Sequence, residues 1–186
     1  MINGKYSNHL QEIHDKLSVI DDFLNDCECD QLISFVNSRP HLNDRSKFMP
    51  NPGITGEIGK YNSIGITKER YSDIYQRFFA DKLINGIPPS EIQLNYYDKG
   101  HYIPPHVDGG LSFYTVCVPL QSSDTDKLVF GDPSVYYDND VEEHDKSISF
   151  FDKKGRGIRF DGTKPIHWVP KTEKPRYSAV ILYGGI

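Results

Sequence analysis

The chain has little of what would announce export, membrane insertion or a structural zinc site. It carries three cysteines in 186 residues. Cys27, Cys29 and Cys117 are an odd number, and Cys27-x-Cys29 is not a zinc spacing on its own, so reduced thiols and a cytoplasmic location are the expectation. No apolar run approaches the length of a membrane span, and the first residues hold no apolar leader stretch. Basic excess is also missing. Lys and Arg number 21 against 26 Asp and Glu, a formal charge of −5, so nucleic acid and anionic membrane surfaces are poor partners for the chain as a whole. No internal repeat is visible.

What remains is the composition of a soluble globular protein, 37% hydrophobic and 25% charged, at a length that fits one domain with a core of its own. The first half reads as helical support, residues 1–90. Residues 1–16 are polar with Leu10, Ile13, His14 and Leu17 at helix-like spacing. Leu17 to Leu24 reads as a short strand and turn. Asn25 or Asp26 can then cap a helix with Cys29, Leu32, Ile33 and Val36 on its apolar face, closed by Pro40. His41 to Gly65, punctuated by Pro50, Pro52, Gly53, Gly56 and Gly59, reads as a long loop and a candidate substrate cover. Thr67 can cap a helix over Lys68 to Leu83, whose Tyr71, Ile74, Tyr75, Phe78 and Phe79 form a stripe suited to a core.

From Glu91 the hydrophobic period changes to two. Strand-like runs follow at Ile92 to Tyr97, Leu111 to Leu120, Lys127 to Phe130, Val135 to Tyr137, Ser147 to Phe151, Gly157 to Phe160, Pro165 to Trp168 and Arg176 to Tyr183. About eight short strands separated by turn residues predict a sandwich or jelly roll over residues 91–186. The stretch from Gln121 to Lys146 holds eight Asp and Glu against two Lys and reads as a solvated face.

One stretch in this half carries chemistry: Asn95-Tyr-Tyr-Asp-Lys-Gly-His-Tyr-Ile-Pro-Pro-His-Val-Asp108. On an extended strand residues i and i+2 share a face, so His106 and Asp108 would aim an imidazole nitrogen and a carboxylate oxygen at one point. A second histidine would complete a 2-His-1-carboxylate set with open positions, the arrangement of non-haem Fe(II) oxygenases. His167 is the candidate, because His9, His14 and His41 lie in polar segments without partners at ligand spacing. His101 falls on the far side of the strand, and His144 sits in the acidic run. After His167 comes Arg176-Tyr-Ser178, which places a guanidinium fork and a hydroxyl on one strand face, suited to a carboxylate.

Taken together these residues resemble the Fe(II)- and 2-oxoglutarate-dependent dioxygenases, in particular the prolyl 4-hydroxylases and the AlkB-type demethylases. The likeness runs from Ile92 to Tyr183 through Tyr97-x-x-Gly100, His106-x-Asp108, His167 and Arg176-x-Ser178. It implies a mainly β protein with helices: a double-stranded β-helix with N-terminal helices packed on one sheet. It implies iron held by His106, Asp108 and His167, with O2 and 2-oxoglutarate as cosubstrates and room for ascorbate. Arg176, Ser178, Tyr97 and Asn95 would bind the keto acid, with Lys171 and Lys174 as alternates for the arginine, since prolyl hydroxylases commonly use a lysine. Hydroxylation of an amino-acid side chain in a peptide, a protein or a small amino acid, with release of succinate and CO2, is the implied activity. Nucleobase demethylation and a non-catalytic jelly-roll binding module are the alternatives. One departure from the prolyl-hydroxylase pattern is plain: where a Gly-Gly-x-Thr-x-Phe segment is expected, Asp126-Lys-Leu-Val-Phe130 stands.

Overall fold

A computed structural model describes residues 16–39, 59–108, 113–135, 146–161 and 165–184. Among these are ten strands, two helices and one short 3-10 turn. In chain order they are β1 (Ser18–Ile20), α1 (Asp26–Asn37), β2 (Asn62–Ile66), α2 (Ser72–Phe78), β3 (Pro89–Tyr97), β4 (Ile103–His106), β5 (Tyr114–Pro119), β6 (Lys127–Gly131), β7 (Ser147–Phe151), β8 (Gly157–Phe160), β9 (His167–Val169) and β10 (Arg176–Tyr183). They form a six-stranded sheet in the order β1-β8-β5-β10-β3-β2 and a four-stranded sheet in the order β4-β9-β6-β7. Every strand pairing in both is antiparallel.

Alternation on the strands of the large sheet divides its two faces. Ile92 and Leu94 of β3, Val116 and Val118 of β5, and Ala179 and Ile181 of β10 lie in one apolar cluster with Cys29, Leu32 and Val36 of α1 and Tyr75 and Phe78 of α2. The intervening residues point the other way. Tyr97, Cys117, Ile158 and Phe160 join Ile103, Leu128, Phe130 and Val169 of the small sheet in a second cluster. A single register therefore commits each strand to a helix-side core and an inter-sheet interior.

The helix expected after Asn25 begins where its chemistry allows. Asn25 accepts a hydrogen bond from the Glu28 amide and Glu28 accepts one from the Asn25 amide, a reciprocal capping box. The second helix is shorter than expected. Thr67 accepts bonds from the Glu69 and Arg70 amides and so closes a turn, and Tyr71 at φ 57° breaks the helical path before Ser72. The aromatic stripe still buries Tyr75, Phe78 and Phe79. The segment read as a loop up to Gly65 runs into β2, an edge strand whose Ile64 and Ile66 are buried while Gly65 supplies no side chain to mark the alternation. β1 and β2 both belong to the large sheet, so the N-terminal ninety residues supply strands as well as helices. Val135 lies in the 3-10 turn Pro133–Val135 rather than in a strand. Tyr137 and the rest of residues 136–145 of the acidic run, residues 40–58, and His9, His14, His41 and His144 lie outside the described residues. Among the described residues no helix is long and apolar enough to cross a membrane.

Candidate metal centre and its pocket

β4 and β9 are antiparallel neighbours, and their register sets His106 directly opposite His167. Side chains opposed in this way stand within contact of each other, and the two imidazole centroids are 4.3 Å apart. β4 ends at His106, so Asp108 lies two residues beyond the strand. Asp108 Oδ1 lies 3.6 Å from His106 Nε2 and 3.4 Å from His167 Nε2. The three are buried, with their ligand atoms all within 4.8 Å of one another, and form the one His/Cys/Asp/Glu group among the described residues able to hold a metal ion.

The remaining atoms of the trio are committed elsewhere, which orients the rest. His106 Nδ1 is 2.9 Å from the Pro104 carbonyl and His167 Nδ1 is 3.0 Å from the Pro165 carbonyl. A carbonyl only accepts, so each neutral ring carries its proton on Nδ1 and turns the Nε2 lone pair inward. The repeated Pro-x-His sequence is what places both carbonyls. Thr115 Oγ1 donates to Asp108 Oδ2 at 2.7 Å, leaving Oδ1 for the shared point. Burial, with His167 nearby, pushes the His106 imidazole down to about 4. Burial also opposes charge on His167 and Asp108, but their mutual attraction prevails, raising the imidazole and lowering the carboxyl. Two imidazole nitrogens and one carboxylate oxygen, each fixed by a partner behind it, suit a borderline divalent transition metal such as Fe(II).

These side chains line one cavity. Asn95, Tyr97, Arg176 and Ser178 line the same cavity, so all seven residues singled out in the sequence meet in one place. The pairing of β3 with β10 explains how: Tyr97 lies opposite Arg176 and Asn95 opposite Ser178. The Arg176 guanidinium stands over the Tyr97 ring, 5.0 Å from its centroid. Burial raises the Tyr97 hydroxyl pKa, opposed by Arg176, Ser178 and Asn95. Asn95 Oδ1 is buried without a hydrogen-bond partner.

Lys171 and Lys174 stand apart from the cavity. Lys171 lies 6.0 Å above the Tyr102 ring, and Lys174 is an exposed partner of Asp124 at 3.7 Å. His101 interacts with Asp98 at 3.8 Å. Trp168, beside His167, packs with Val129 and Val135 in a separate cluster. Sequence reasoning missed Thr115, Cys117, Gln93 and Tyr61, which complete the site or its walls. It also missed Asp152, whose carboxylate accepts Arg176 Nε at 2.6 Å and Nη2 at 3.0 Å. Asp152 follows an ordinary strand, and nothing near it in sequence signals a partner 24 residues on.

No protein-family model matches the sequence, and no curated protein matches it. Solved structures do. A prolyl-4-hydroxylase from Pseudomonas putida superposes with a TM-score of 0.62 at 14% identity, over 95% of this chain and 99% of that one. A prolyl hydroxylase from Trichoplax adhaerens, in complex with a hypoxia inducible factor peptide fragment, gives 0.59 at 15% identity over 97% and 87%. The non-haem alpha-ketoglutarate-dependent carbocyclase SnoK from nogalamycin biosynthesis gives 0.65 at 8% identity over 97% and 83%. The fold is therefore the jelly roll of these oxygenases, at identities where fold alone carries over.

Proposed function

We propose that the protein is an Fe(II)- and 2-oxoglutarate-dependent oxygenase that hydroxylates an amino-acid side chain of a peptide, protein or small amino-acid substrate. The observation that carries this is the buried His106, Asp108 and His167 trio opening into the same cavity as Arg176. The trio would hold the metal through two Nε2 atoms and one carboxylate oxygen, an arrangement that leaves adjacent positions for other ligands. Arg176, with Ser178 and the Tyr97 hydroxyl, would bind the distal carboxylate of the keto acid, and the Asn95 amide borders it. With iron and 2-oxoglutarate bound, the chemistry supplied is activation of O2 coupled to decarboxylation of the keto acid to succinate and CO2, with one oxygen atom passed to a substrate C–H bond.

The chain's own contribution is orientation and exclusion of water. Thr115, Pro104 and Pro165 fix the three ligands before any metal arrives, so little reorganisation remains. Apolar walls from Ile103, Leu128, Val169 and Val180 keep bulk water from the reacting centre. The prolyl hydroxylase neighbour caught with a peptide supports a peptide or protein substrate, while the carbocyclase on the same fold leaves the reaction open to test.

The test is succinate release from 2-oxoglutarate, with Fe(II), across a panel of amino acids, proline-containing peptides and methylated oligonucleotides. Stimulation by a peptide or amino acid is expected. Stimulation only by the oligonucleotides would replace the proposal with demethylation. A protein that shows no visible charge-transfer band with Fe(II) and 2-oxoglutarate under anaerobic conditions, and no turnover, would be a binding module.

A further inference from the structure

Asp152 follows the last residue of β7, and its side chain is 1% exposed against 4% for Arg176. The carboxylate takes the Nε and Nη2 edge of the guanidinium in a bidentate pair. Its backbone is held on both sides, the amide donating to the Asp126 carbonyl and the carbonyl accepting from the Ser123 amide. Asp126 in turn accepts from Ser123 Oγ and from the backbone amide of Glu173, three residues before Arg176. One network therefore ties together both segments that carry the ion pair.

A guanidinium has five N–H donors in a rigid fork. Asp152 uses two, and the Nη1–Nη2 edge remains able to meet a second carboxylate bidentately. A ligand that displaced Asp152 would leave a buried carboxylate without a partner, which costs more than sharing the arginine between two edges. Resting on the pocket being a 2-oxoglutarate site, we propose that Asp152 is a positioning residue, which grips the Nε–Nη2 edge of Arg176 so that the adjacent Nη1–Nη2 edge is presented at a fixed angle to the distal carboxylate of the keto acid. The effect on binding runs against simple charge. Removing a carboxylate near a dianion would by Coulomb attraction alone tighten it, whereas releasing the guanidinium from its grip weakens recognition.

The experiment is calorimetric titration of the full-length, Fe(II)-loaded protein under anaerobic conditions with 2-oxoglutarate and with 2-oxopentanoate, which has the same keto-acid end and no distal carboxylate. Wild type should prefer 2-oxoglutarate by about 30-fold, the scale of a buried charge-assisted pair. Asp152→Asn, which removes the charge, and Asp152→Glu, which keeps the charge but lengthens the arm, should each shrink that preference to about 3-fold or less. Affinity for 2-oxopentanoate should be unchanged in both, since it does not reach the arginine. A preference retained in Asp152→Glu, or raised in Asp152→Asn, overturns the proposal, as does an equal loss for the two ligands. Should Asp152→Asn fail to fold, Asp152→Glu decides alone. No preference in the wild type itself would instead sink the 2-oxoglutarate site, and the role of Asp152 with it.

Discussion

The cavity has two ends that handle buried charge in opposite ways. At one end His106, Asp108 and His167 turn three ligand atoms toward a common point, and their outer atoms are satisfied by Pro104, Pro165 and Thr115. The arrangement is complete only when something electropositive sits at that point. At the other end Arg176 and Asp152 already satisfy each other, both buried. The first end is built around a missing partner, and the second contains its own. Substitutions should therefore cost function without stability at the metal end, and stability as well as keto-acid recognition at the arginine end.

The largest effect expected is at the metal end. His106→Ala, Asp108→Ala and His167→Ala should each abolish Fe(II)-dependent succinate release, because no other described group can supply a third ligand. The fold should survive, since each change relieves a crowded buried polar site as much as it opens a gap. Circular dichroism and thermal melting check the fold, and a succinate assay the activity. Turnover retained in all three variants would remove the metal assignment.

Next comes the arginine end. Arg176→Ala should destabilise the protein by about 3–5 kcal/mol in denaturant unfolding, because it leaves the Asp152 carboxylate buried and alone. Replacing both partners by apolar residues, Arg176→Met with Asp152→Leu, should recover most of that stability while abolishing preference for a dicarboxylic keto acid. Equal losses for single and double variants would show that the pair is not an independent unit. For the same reason Arg176→Ala is a poor probe of ligand recognition by itself, and Lys171→Ala and Lys174→Ala, which touch neither end, should behave as wild type.

How far each end was legible in the sequence follows from the physics of its contacts. Residues sharing a face of a period-two strand can be anticipated once the pattern is seen, as with Arg176 and Ser178, whereas the pairing that sets Asn95 opposite Ser178 and Tyr97 opposite Arg176 is read only from the structure. The metal ligands were legible as residue types, although β4 stops at His106 and Asp108, two residues beyond it, is held by Thr115. Asp152 was illegible, because a single aspartate after a strand has no pattern and its partner is fixed by tertiary register. β2 was hidden by Gly65, and the short second helix by Tyr71 in a left-handed conformation, which no hydrophobic period reports.

A smaller effect sharpens the metal end. Thr115→Val keeps the shape of the side chain but removes the donor to Asp108 Oδ2, leaving that oxygen buried and free to turn away from the metal. Loss of such a supporting bond typically costs about 10- to 100-fold in metal affinity. Fe(II) or Mn(II) titration should show a weakening in that range, with 2-oxoglutarate preference over 2-oxopentanoate intact in the metal-loaded protein. An affinity equal to wild type would mean that Asp108 is held by its histidine neighbours alone.

The smallest perturbation is chemical labelling of thiols, and it can report on both ends at once. Cys27 is exposed, whereas Cys29 and Cys117 are buried. Burial pushes the Cys29 thiol up to about 11 and raises Cys117 further, with Asp108 adding to the rise and Arg176 opposing it. A thiol whose folded pKa is raised above its unfolded value stabilises the fold below the unfolded value and loses that contribution as pH climbs through the folded one. Stability should therefore fall at strongly alkaline pH, starting near 9, the ordinary value for the Cys29 thiol. At mildly alkaline pH one thiol per native chain should react with a disulfide reagent. Cys117 lines the cavity together with Asp108 and Arg176, so its slow labelling measures how often the interior opens. Arg176→Ala should speed that labelling, because a less stable fold opens more often, while His106→Ala and His167→Ala should leave it slow. Fast Cys117 labelling in the histidine variants, with slow labelling in Arg176→Ala, would reverse the assignment of function to one end and stability to the other.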